Sequence, residues 1–455
     1  MSNTLLAIDI GSTNITSVVA QNDLNGKVNI LGMGIETSEG INKGLITNIE
    51  VASTAINNAV QNAKRSTQNN IDTTLVSISG AYTKGLRSNG SVNVPNGQIT
   101  ENEINQVMQM ALYNATIVPE YDVIHVLPIY FKVDDSQTID NPLNMNGARL
   151  EVSVYIVTAK KTALINIQSA MKASGLEVTN FVLNGYSSAI SVLDDEQKRF
   201  GTGVIDIGGS TTDFVCFKGK SILYNDFIPV GSTHITNDLS VMLHTPPNAA
   251  EMLKIKYGNL LNVDKDDDLA IKKVKIPIIG DEQNTKEMSL DSVQTIIHAR
   301  VEETLMFIKD KIKESGMNDS IGAGLVITGG MSQLKGMKEL ASRIFDNIPI
   351  KIANPTNIKN GYFNFDDPTM ATIVGLLLYG LDTNANFELD SNKTLRKRVA
   401  KIVEQPKIVK TQKQQTHAQS QTHESKDESA LLPTISKKDK GKGMSRFWNK
   451  VSEWF

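Results

Sequence analysis

Leu5-Leu6-Ala7-Ile8-Asp9-Ile10-Gly11-Ser12-Thr13 opens the chain, and Gly203-Val204-Ile205-Asp206-Ile207-Gly208-Gly209-Ser210-Thr211 repeats its pattern about 200 residues later. Each copy is an apolar run, an Asp, a turn of Gly and hydroxyl residues, then a second β-rich run at 15–20 or 214–217. This reads as strand, tight turn, strand. Glycine lets a backbone approach a phosphate closely, and Ser or Thr adds donors. The Asp at each strand end can hold Mg²⁺ through water, because Mg²⁺ keeps much of its hydration shell. Two such hairpins facing each other would grip one nucleoside triphosphate from both sides. A lone Asp-Ile-Gly is commonly just a strand end and turn; the matched second copy gives the pattern its weight.

At 455 residues the chain exceeds one ordinary core and should divide into two or more domains. A net charge of −3 provides no global field toward nucleic acid. The single cysteine, Cys216, follows the second hairpin turn and reads as a core residue. One cysteine also excludes a disulfide framework, which suits a reducing cytoplasm. The N-terminus enters a strand at once, without a signal-peptide pattern. No apolar run reaches the length of a bilayer span. The histidines show no metal-ligand spacing, and the acidic run at 264–268 lacks the glycine and closing Glu of a calcium loop.

Residues 1–82 read as α/β structure: the hairpin, a strand at 28–33, a helix at 49–66 and a strand at 74–79. Over 83–160 the texture changes to a helix at 101–114 and strands at 121–126, 129–133 and 152–157. A block that interrupts one α/β unit before the next reads as an inserted subdomain. A helix at 162–174, a strand at 178–183 and a helix at 185–193 lead into the second half. There the repeated hairpin runs into a strand at 222–229 and helices at 235–242 and 249–256. A charged, loop-rich stretch to about 288 follows. A long amphipathic helix at 290–315, a strand at 324–328 and helices at 335–344 and 370–381 complete this half. Matching entry motifs imply duplication, with a ligand cleft between the halves.

Residues 391–442 contain no aromatic and are too polar to offset their ordering entropy. As a flexible tether they would span on the order of 40 Å. Both tryptophans, Trp448 and Trp454, lie just beyond. Met444, Phe447, Trp448, Val451, Trp454 and Phe455 share one face of a helix. Ser445, Arg446, Asn449, Lys450 and Ser452 take the other, with Lys437, Lys438, Lys440 and Lys442 upstream. A basic, aromatic amphipathic helix of this kind matches the pattern of one lying in a membrane interface, each cation adding roughly 1 kcal/mol on an anionic leaflet. The alternative is docking on its own domain or on a protein partner, and the long tether disfavours docking on its own domain.

A third Gly-rich element, Val326-Ile327-Thr328-Gly329-Gly330-Met331, stands between a strand and a helix, where glycine admits a flat base or ribose. There is no G-x-x-x-x-G-K-[ST] loop. The ordered set DIGST (9–13), DIGGSTTDF (206–214) and ITGGMSQLKG (327–336), with 371–380 as a second interdomain helix, resembles the actin, Hsp70 and sugar-kinase superfamily. Further features are more specific: Lys43-Gly44, Ser77-Ile78-Ser79-Gly80 leading into the insert, and His244-Thr245-Pro246-Pro247 ahead of Ala250-Glu251, Lys254 and Tyr257-Gly258. With the linker and terminal helix, they resemble the bacterial cell-division FtsA family. The resemblance covers 5 to about 385 and the last dozen residues.

That resemblance implies an α/β, actin-like two-domain fold with an inserted 1C subdomain, a disordered linker and a C-terminal amphipathic helix. Its parts would be 1A (1–82 and 161–198), 1C (83–160), 2A (199–232 and 306–369) and 2B (233–305). A return helix segment (370–390), the linker (391–442) and a membrane-targeting helix (443–455) would follow. It implies ATP and Mg²⁺, bound by Gly11, Ser12, Thr13 and Asn14 on one loop and Gly208, Gly209, Ser210 and Thr211 on the other. Asp9 and Asp206 would be the Mg²⁺-side carboxylates. Glu251 and Lys254 would meet the adenosine, and Gly329, Gly330 and Met331 would line the base. Asp213 would orient water, and Arg300 would contact the C-terminal peptide of the tubulin homologue FtsZ.

The implied role is a scaffold that tethers FtsZ filaments to the cytoplasmic face of the inner membrane at the division site. It would polymerise, engage other divisome proteins through 1C, and hold anionic lipid through Met444, Arg446, Phe447, Trp448, Lys450, Val451, Trp454 and Phe455. One departure bears on catalysis. Actin carries a glutamine and sugar kinases an acid on the first interdomain segment, whereas 184–189 offers neither. Clamping of ATP is thus better supported than fast hydrolysis, with at most slow turnover. The alternatives are an ATPase chaperone or kinase on the same fold, or a pilus or secretion-apparatus component. A chaperone would need a β-rich domain after 385, where the polar linker stands instead.

Overall fold

The computed structural model describes residues 4–396, apart from 24–26, 68, 262–271, 347, 357, 359–362 and 382–386. All of these lie in one compact unit, Met1–Lys401. The helix expected at 443–455, its lipid-facing residues and the linker from 397 onward fall outside the described residues.

Two five-stranded sheets carry the same topology. In the first, β1 (Thr4–Ile10) pairs antiparallel with β2 (Asn14–Asn22), and β2 with β3 (Val28–Thr37). On the other side of β1, β6 (Thr73–Ile78) and then β10 (Asn180–Leu183) add in parallel. Two short strands, β4 (Ile41–Asn42) and β5 (Leu45–Ile46), pair apart from this sheet. In the second, β11 (Thr202–Ile207), β12 (Thr212–Lys218) and β13 (Ser221–Ile228) repeat the antiparallel meander. Strands β16 (Leu325–Thr328) and β17 (Ile350–Ile352) repeat the parallel pair. The orders β3-β2-β1-β6-β10 and β13-β12-β11-β16-β17 match strand for strand, so the internal repeat read from the hairpins extends to the whole sheet.

Helices cover the sheets through apolar stripes. Helix α1 (Ile49–Lys64) starts where the Asn48 side chain accepts from the Glu50 and Val51 amides, and buries Ala52, Ala55, Ile56, Ala59, Val60 and Ala63. Helix α2 (Glu101–Tyr113) opens on a Thr100–Glu103 capping box. Helices α3 (Lys161–Ala173), α4 (Asn184–Val192) and α5 (Asp195–Phe200) follow in the first half of the chain. The second half adds α6 (Ser232–Met242), α7 (Pro247–Tyr257), α8 (Leu290–Ser315), α9 (Met337–Ile344) and α10 (Ala371–Leu381). Among the described residues no helix is long and apolar enough to cross a membrane.

The insert is a three-stranded antiparallel sheet under α2, in the order β7 (Thr83–Asn93), β9 (Arg149–Lys160), β8 (Tyr121–Val133). Sequence reading missed β7 and split β8 in two. Strand β7 carries few apolar residues because part of it lies under α2, where Ser88 Oγ donates to the Ala111 carbonyl at 2.7 Å. Strand β8 runs through Pro128 by shifting register between Pro128 and Tyr130. The charged stretch expected to be loop as far as 288 contains a hairpin, β14 (Lys273–Ile278) with β15 (Asp281–Ser289).

Helices α4 and α10 cross closely because the contact is built from small residues. Ser187 and Ser191 donate their hydroxyls to the Thr372 and Ala371 carbonyls, each at 2.8 Å. A Cβ on Gly375 would run into the Ser187 backbone. Beyond α10 the chain does not leave the body at 391, as the linker assignment required. Leu389 and Val126 exchange backbone hydrogen bonds at 3.0 Å in both directions. Glu388, 1% exposed, pairs with Arg396 at 2.8 Å and accepts from the Tyr186 hydroxyl at 3.1 Å. The Arg396 guanidinium sits 3.7 Å from the Tyr379 ring centroid and donates to the Tyr379 carbonyl. This strap, 387–396, fastens both crossing helices to the insert, so 391–396 belongs to the folded body.

Removing one partner of a buried pair strands the other charge, at a cost of about 3–5 kcal/mol. Arg396→Ala should lower urea-unfolding stability by about that amount, whereas Lys393→Ala, which breaks the exposed pair with Asp122, should cost at most about 1 kcal/mol. Equal losses in the two variants would contradict the strap's role.

Candidate functional site

The two hairpin turns close with the same bond: the Gly11 N–H donates to the Asn14 carbonyl at 3.1 Å, and the Gly208 N–H to the Thr211 carbonyl at 3.0 Å. In both, loop carbonyls are turned into the protein. Ser38 donates its hydroxyl to Gly11 O at 2.7 Å and its amide to Thr13 O at 2.9 Å. The first amides of α6, Ser232 and Thr233, donate to Gly208 O and Gly209 O at 3.0 and 2.8 Å. The tips face each other, since a Cβ on Gly209 would meet Thr13 Oγ1 and lie 3.6 Å from Ser12 Cβ.

Between them lies a cleft of about 740 Å³. It gathers Asp9, Gly11, Ser12, Thr13 and Asn14 from the first hairpin and Asp206, Gly208, Gly209, Thr211 and Asp213 from the second. Glu251 and Lys254 of α7 and Gly329, Gly330 and Met331 after β16 line its far end. Ser210 is not among the lining residues; its hydroxyl lies 3.4 Å from Thr233 Oγ1. Gly329 has φ +82°, and a Cβ there would collide with the Asp206 carboxylate, so this position is restricted to glycine twice over. At the α7 end, Lys254 Nζ pairs with Glu251 at 2.7 Å and also donates to Thr236 Oγ1 and the Ser232 carbonyl.

The cleft floor is acidic. Asp9 accepts from the Ser77 hydroxyl at 2.7 Å, and enclosure by protein pushes its carboxyl up to about 6, with the Asp206 charge adding to the shift. Asp206 accepts from Ser188 on α4 at 2.5 Å and Thr372 on α10 at 3.4 Å, and burial raises it despite both bonds. Asp213, 6% exposed, is pushed up to about 8 by burial and then by the charges of Asp206 and Asp9. Its Oδ1 accepts from the Gly80 amide at 3.0 Å. The charges acting on Asp9 and Asp213 are thus other carboxylates. This donor set suits a divalent cation. Yet among the described residues no three His, Cys, Asp or Glu side chains are close enough to hold a metal ion directly. Carboxylates so placed fit a cation that keeps its own waters.

Sequence reading passed over Asn184, which opens α4 and lines the cleft with a buried Oδ1 that has no partner. The Asn-Gly pair at 184–185, opening a helix directly after a buried strand, was the available signal. Arg300 lies elsewhere, on α8. It is not a free surface cation: its guanidinium holds Asp238 of α6 at 2.6 Å and Glu303 at 2.5 Å.

Models of two protein families match the chain: "Cell division protein FtsA" over residues 203–375, and "SHS2 domain inserted in FTSA" over residues 80–158. The FtsA of Helicobacter pylori (strain ATCC 700392 / 26695) is 34% identical over 419 residues, covering 86% of this chain and 85% of the relative. The chain belongs to the FtsA family of cell-division proteins. The FtsA proteins of Pseudomonas aeruginosa and Escherichia coli K12 are 31% and 27% identical, covering 84% and 86% of this chain and 90% and 93% of theirs. Among solved structures, a type IV pilus PilM–PilN complex aligns with a TM-score of 0.58 at 15% identity, over 83% of this chain and 98% of that one. MreB5 of Spiroplasma citri bound to ADP aligns with a TM-score of 0.50 at 13% identity, over 83% and 96%. The fold is therefore actin-like, with the SHS2 insert of FtsA.

A carboxyl whose folded pKa exceeds its unfolded value contributes stability at low pH that is lost as pH rises through the folded pKa. For Asp213 the loss sets in above the ordinary carboxyl value of 3.8 and is complete near pH 8. Asp213→Asn keeps an acceptor for Gly80 but cannot ionise. Between about pH 5 and 8 the ligand-free variant should therefore gain in melting temperature relative to wild type, and the difference should level off above pH 8. A constant difference across that range would contradict the buried, proton-holding carboxyl.

Proposed function

We propose that this FtsA-family protein is a nucleotide-dependent, actin-like scaffold of the division machinery, binding ATP with Mg²⁺ in the cleft. The observation that carries the reading is the pair of matched hairpins closing on one cleft above Asp9 and Asp206. Amides and hydroxyls at 12–14, 209 and 211, with Gly11 and Gly208 shaping the turns, would hold the phosphates. Glu251, Lys254 and the Gly329–Gly330–Met331 turn would hold the nucleoside. The Mg²⁺ would supply positive charge to the phosphates and to the buried carboxylates. Asn184 Oδ1 and Asp213 offer acceptors to bound water. With neither an acid nor a glutamine at 184–189 to position water, hydrolysis is slow and clamping dominates.

The partner half of the proposal follows the family. Arg300 and the neighbouring face of α8 would take the carboxylate-bearing C-terminal peptide of FtsZ. There the guanidinium must exchange or share Asp238 and Glu303. The insert would receive other division proteins, and copies of the chain would stack into a filament. The basic aromatic segment at 444–455 would anchor the assembly on anionic lipid at the cytoplasmic face of the inner membrane. One segment binds reversibly, and a row of them binds tightly through effective concentration. A chaperone or small-molecule kinase is disfavoured by the polar sequence beyond 396 and by the lack of a substrate-side acid at 184–189.

Asp206→Ala should weaken Mg·ATP binding by about tenfold or more, the scale of losing one charge-assisted contact. Cys216→Ser, in the core behind the hairpin, should leave it nearly unchanged. Equal affinities for the wild type and the Asp206 variant by calorimetry would refute the two-hairpin site. Deletion of 444–455, or Trp448→Glu, should release the protein from anionic vesicles while nucleotide binding persists. Salt should weaken wild-type binding only in part, because it screens lysines but not an aromatic face. Undiminished flotation of the truncated protein with vesicles would remove the membrane anchor from the account.

A further inference from the structure

By sequence the insert belongs to the first half, entering from β6 and returning into α3. Its root is nevertheless bonded to the second half. Gly80, which starts the turn leading into β7, donates its amide to Asp213 on β12, and this bond is buried. One strand over, Asn225 of β13 is gripped from both sides of the insert. The Tyr155 hydroxyl on β9 donates to Asn225 Oδ1 at 3.0 Å and accepts from the Asn225 amide at 2.9 Å. Asn225 Nδ2 then donates to Thr83 Oγ1 on β7 at 3.1 Å. Glycines make the fit possible: a Cβ on Gly80 would strike the Asp213 carboxylate, and one on Gly85 the Tyr155 hydroxyl.

Besides the α4–α10 crossing, this root therefore joins the halves. The root differs in that one of its acceptors, Asp213, also lines the cleft. Any shift of β12 and β13 relative to β6 must either break buried hydrogen bonds or carry the insert with it. Leaving such buried groups unpaired is costly, so the insert follows.

We propose that the insert and the cleft are thermodynamically coupled through the Gly80–Asp213 and Tyr155–Asn225 bonds. A nucleotide in the cleft fixes the pose of the insert, and a protein partner seated on the insert changes nucleotide affinity by the same factor. The coupling rests on the nucleotide reading of the cleft. Reciprocity is a consequence of linkage, with typical factors of about 5 to 150.

The test uses the full-length protein with and without Mg·ATP. Amide hydrogen exchange across 80–93 and 221–228 should slow when nucleotide is added. Tyr155→Phe should weaken nucleotide affinity by about fivefold or more, while Tyr113→Ala, on the exposed side of the insert, should not change it. Exchange at the root that ignores nucleotide, together with full affinity in Tyr155→Phe, would overturn the coupling while leaving the nucleotide site standing. A wild type that binds no nucleotide would overturn the site itself, and the coupling with it. Should Tyr155→Phe fail to fold by circular dichroism, the wild-type exchange alone decides.

Discussion

A single carboxylate oxygen, Asp206 Oδ2, receives hydroxyls from both helices that join the two halves, Ser188 of α4 and Thr372 of α10. Its position fixes much else. The second hairpin can end in an acid only because these hydroxyls offset part of its burial. Gly329 must be glycine because the carboxylate occupies the space a side chain would need. Asp9 and Asp213 stand near enough to feel its charge. The helix crossing, the strand ends and the cleft floor therefore share one electrostatic problem, that of carboxylates enclosed together with no paired cation among the described residues. Such an arrangement is costly when ionised. Under the proposed function, a divalent ion and its waters would make it favourable and would tie the interdomain contact to the occupancy of the cleft.

Around that point the chain is built twice and then modified. Each sheet uses an antiparallel meander for the hairpin and parallel strands for the core, so each can be buried on both faces by helices. The modifications are where the family's character lies. The insert interrupts the first copy after β6, and the strap at 387–396 closes over α4 and α10 from behind. Tyr186 and Tyr379, one on each crossing helix, meet the Glu388–Arg396 pair there. The crossing is held at its cleft end by hydroxyls on Asp206 and at its rear by this buried ion pair.

Much of this was legible in the sequence, for identifiable reasons. The hairpins announce themselves because a turn between buried strands needs Gly and hydroxyl residues in a fixed order. Helix α8 was placed at 290–315 because its apolar stripe is continuous and Gly316, at φ 67°, can adopt the left-handed cap. The cleft gathers the loop residues named from the repeat, apart from Ser210. Strand β7 was invisible because its Gly and Ser residues are explained by α2 lying on them, a tertiary fact. The β14–β15 hairpin was hidden by charge on its exposed faces, and the strap by its nearness to polar sequence that carries no periodic signal. Asn184 was dismissed by residue type, and the hold of Arg300 on Asp238 was not foreseen, because neither a buried orphan acceptor nor a cross-helix ion pair leaves a local pattern.

The most direct measurement is calorimetric titration of the full-length protein with Mg·ATP near pH 7, in two buffers of unequal ionisation enthalpy. If a hydrated cation settles among carboxyls held toward their protonated forms, binding is saturable and releases protons to the buffer. An absence of binding, or binding accompanied by proton uptake, would contradict the account.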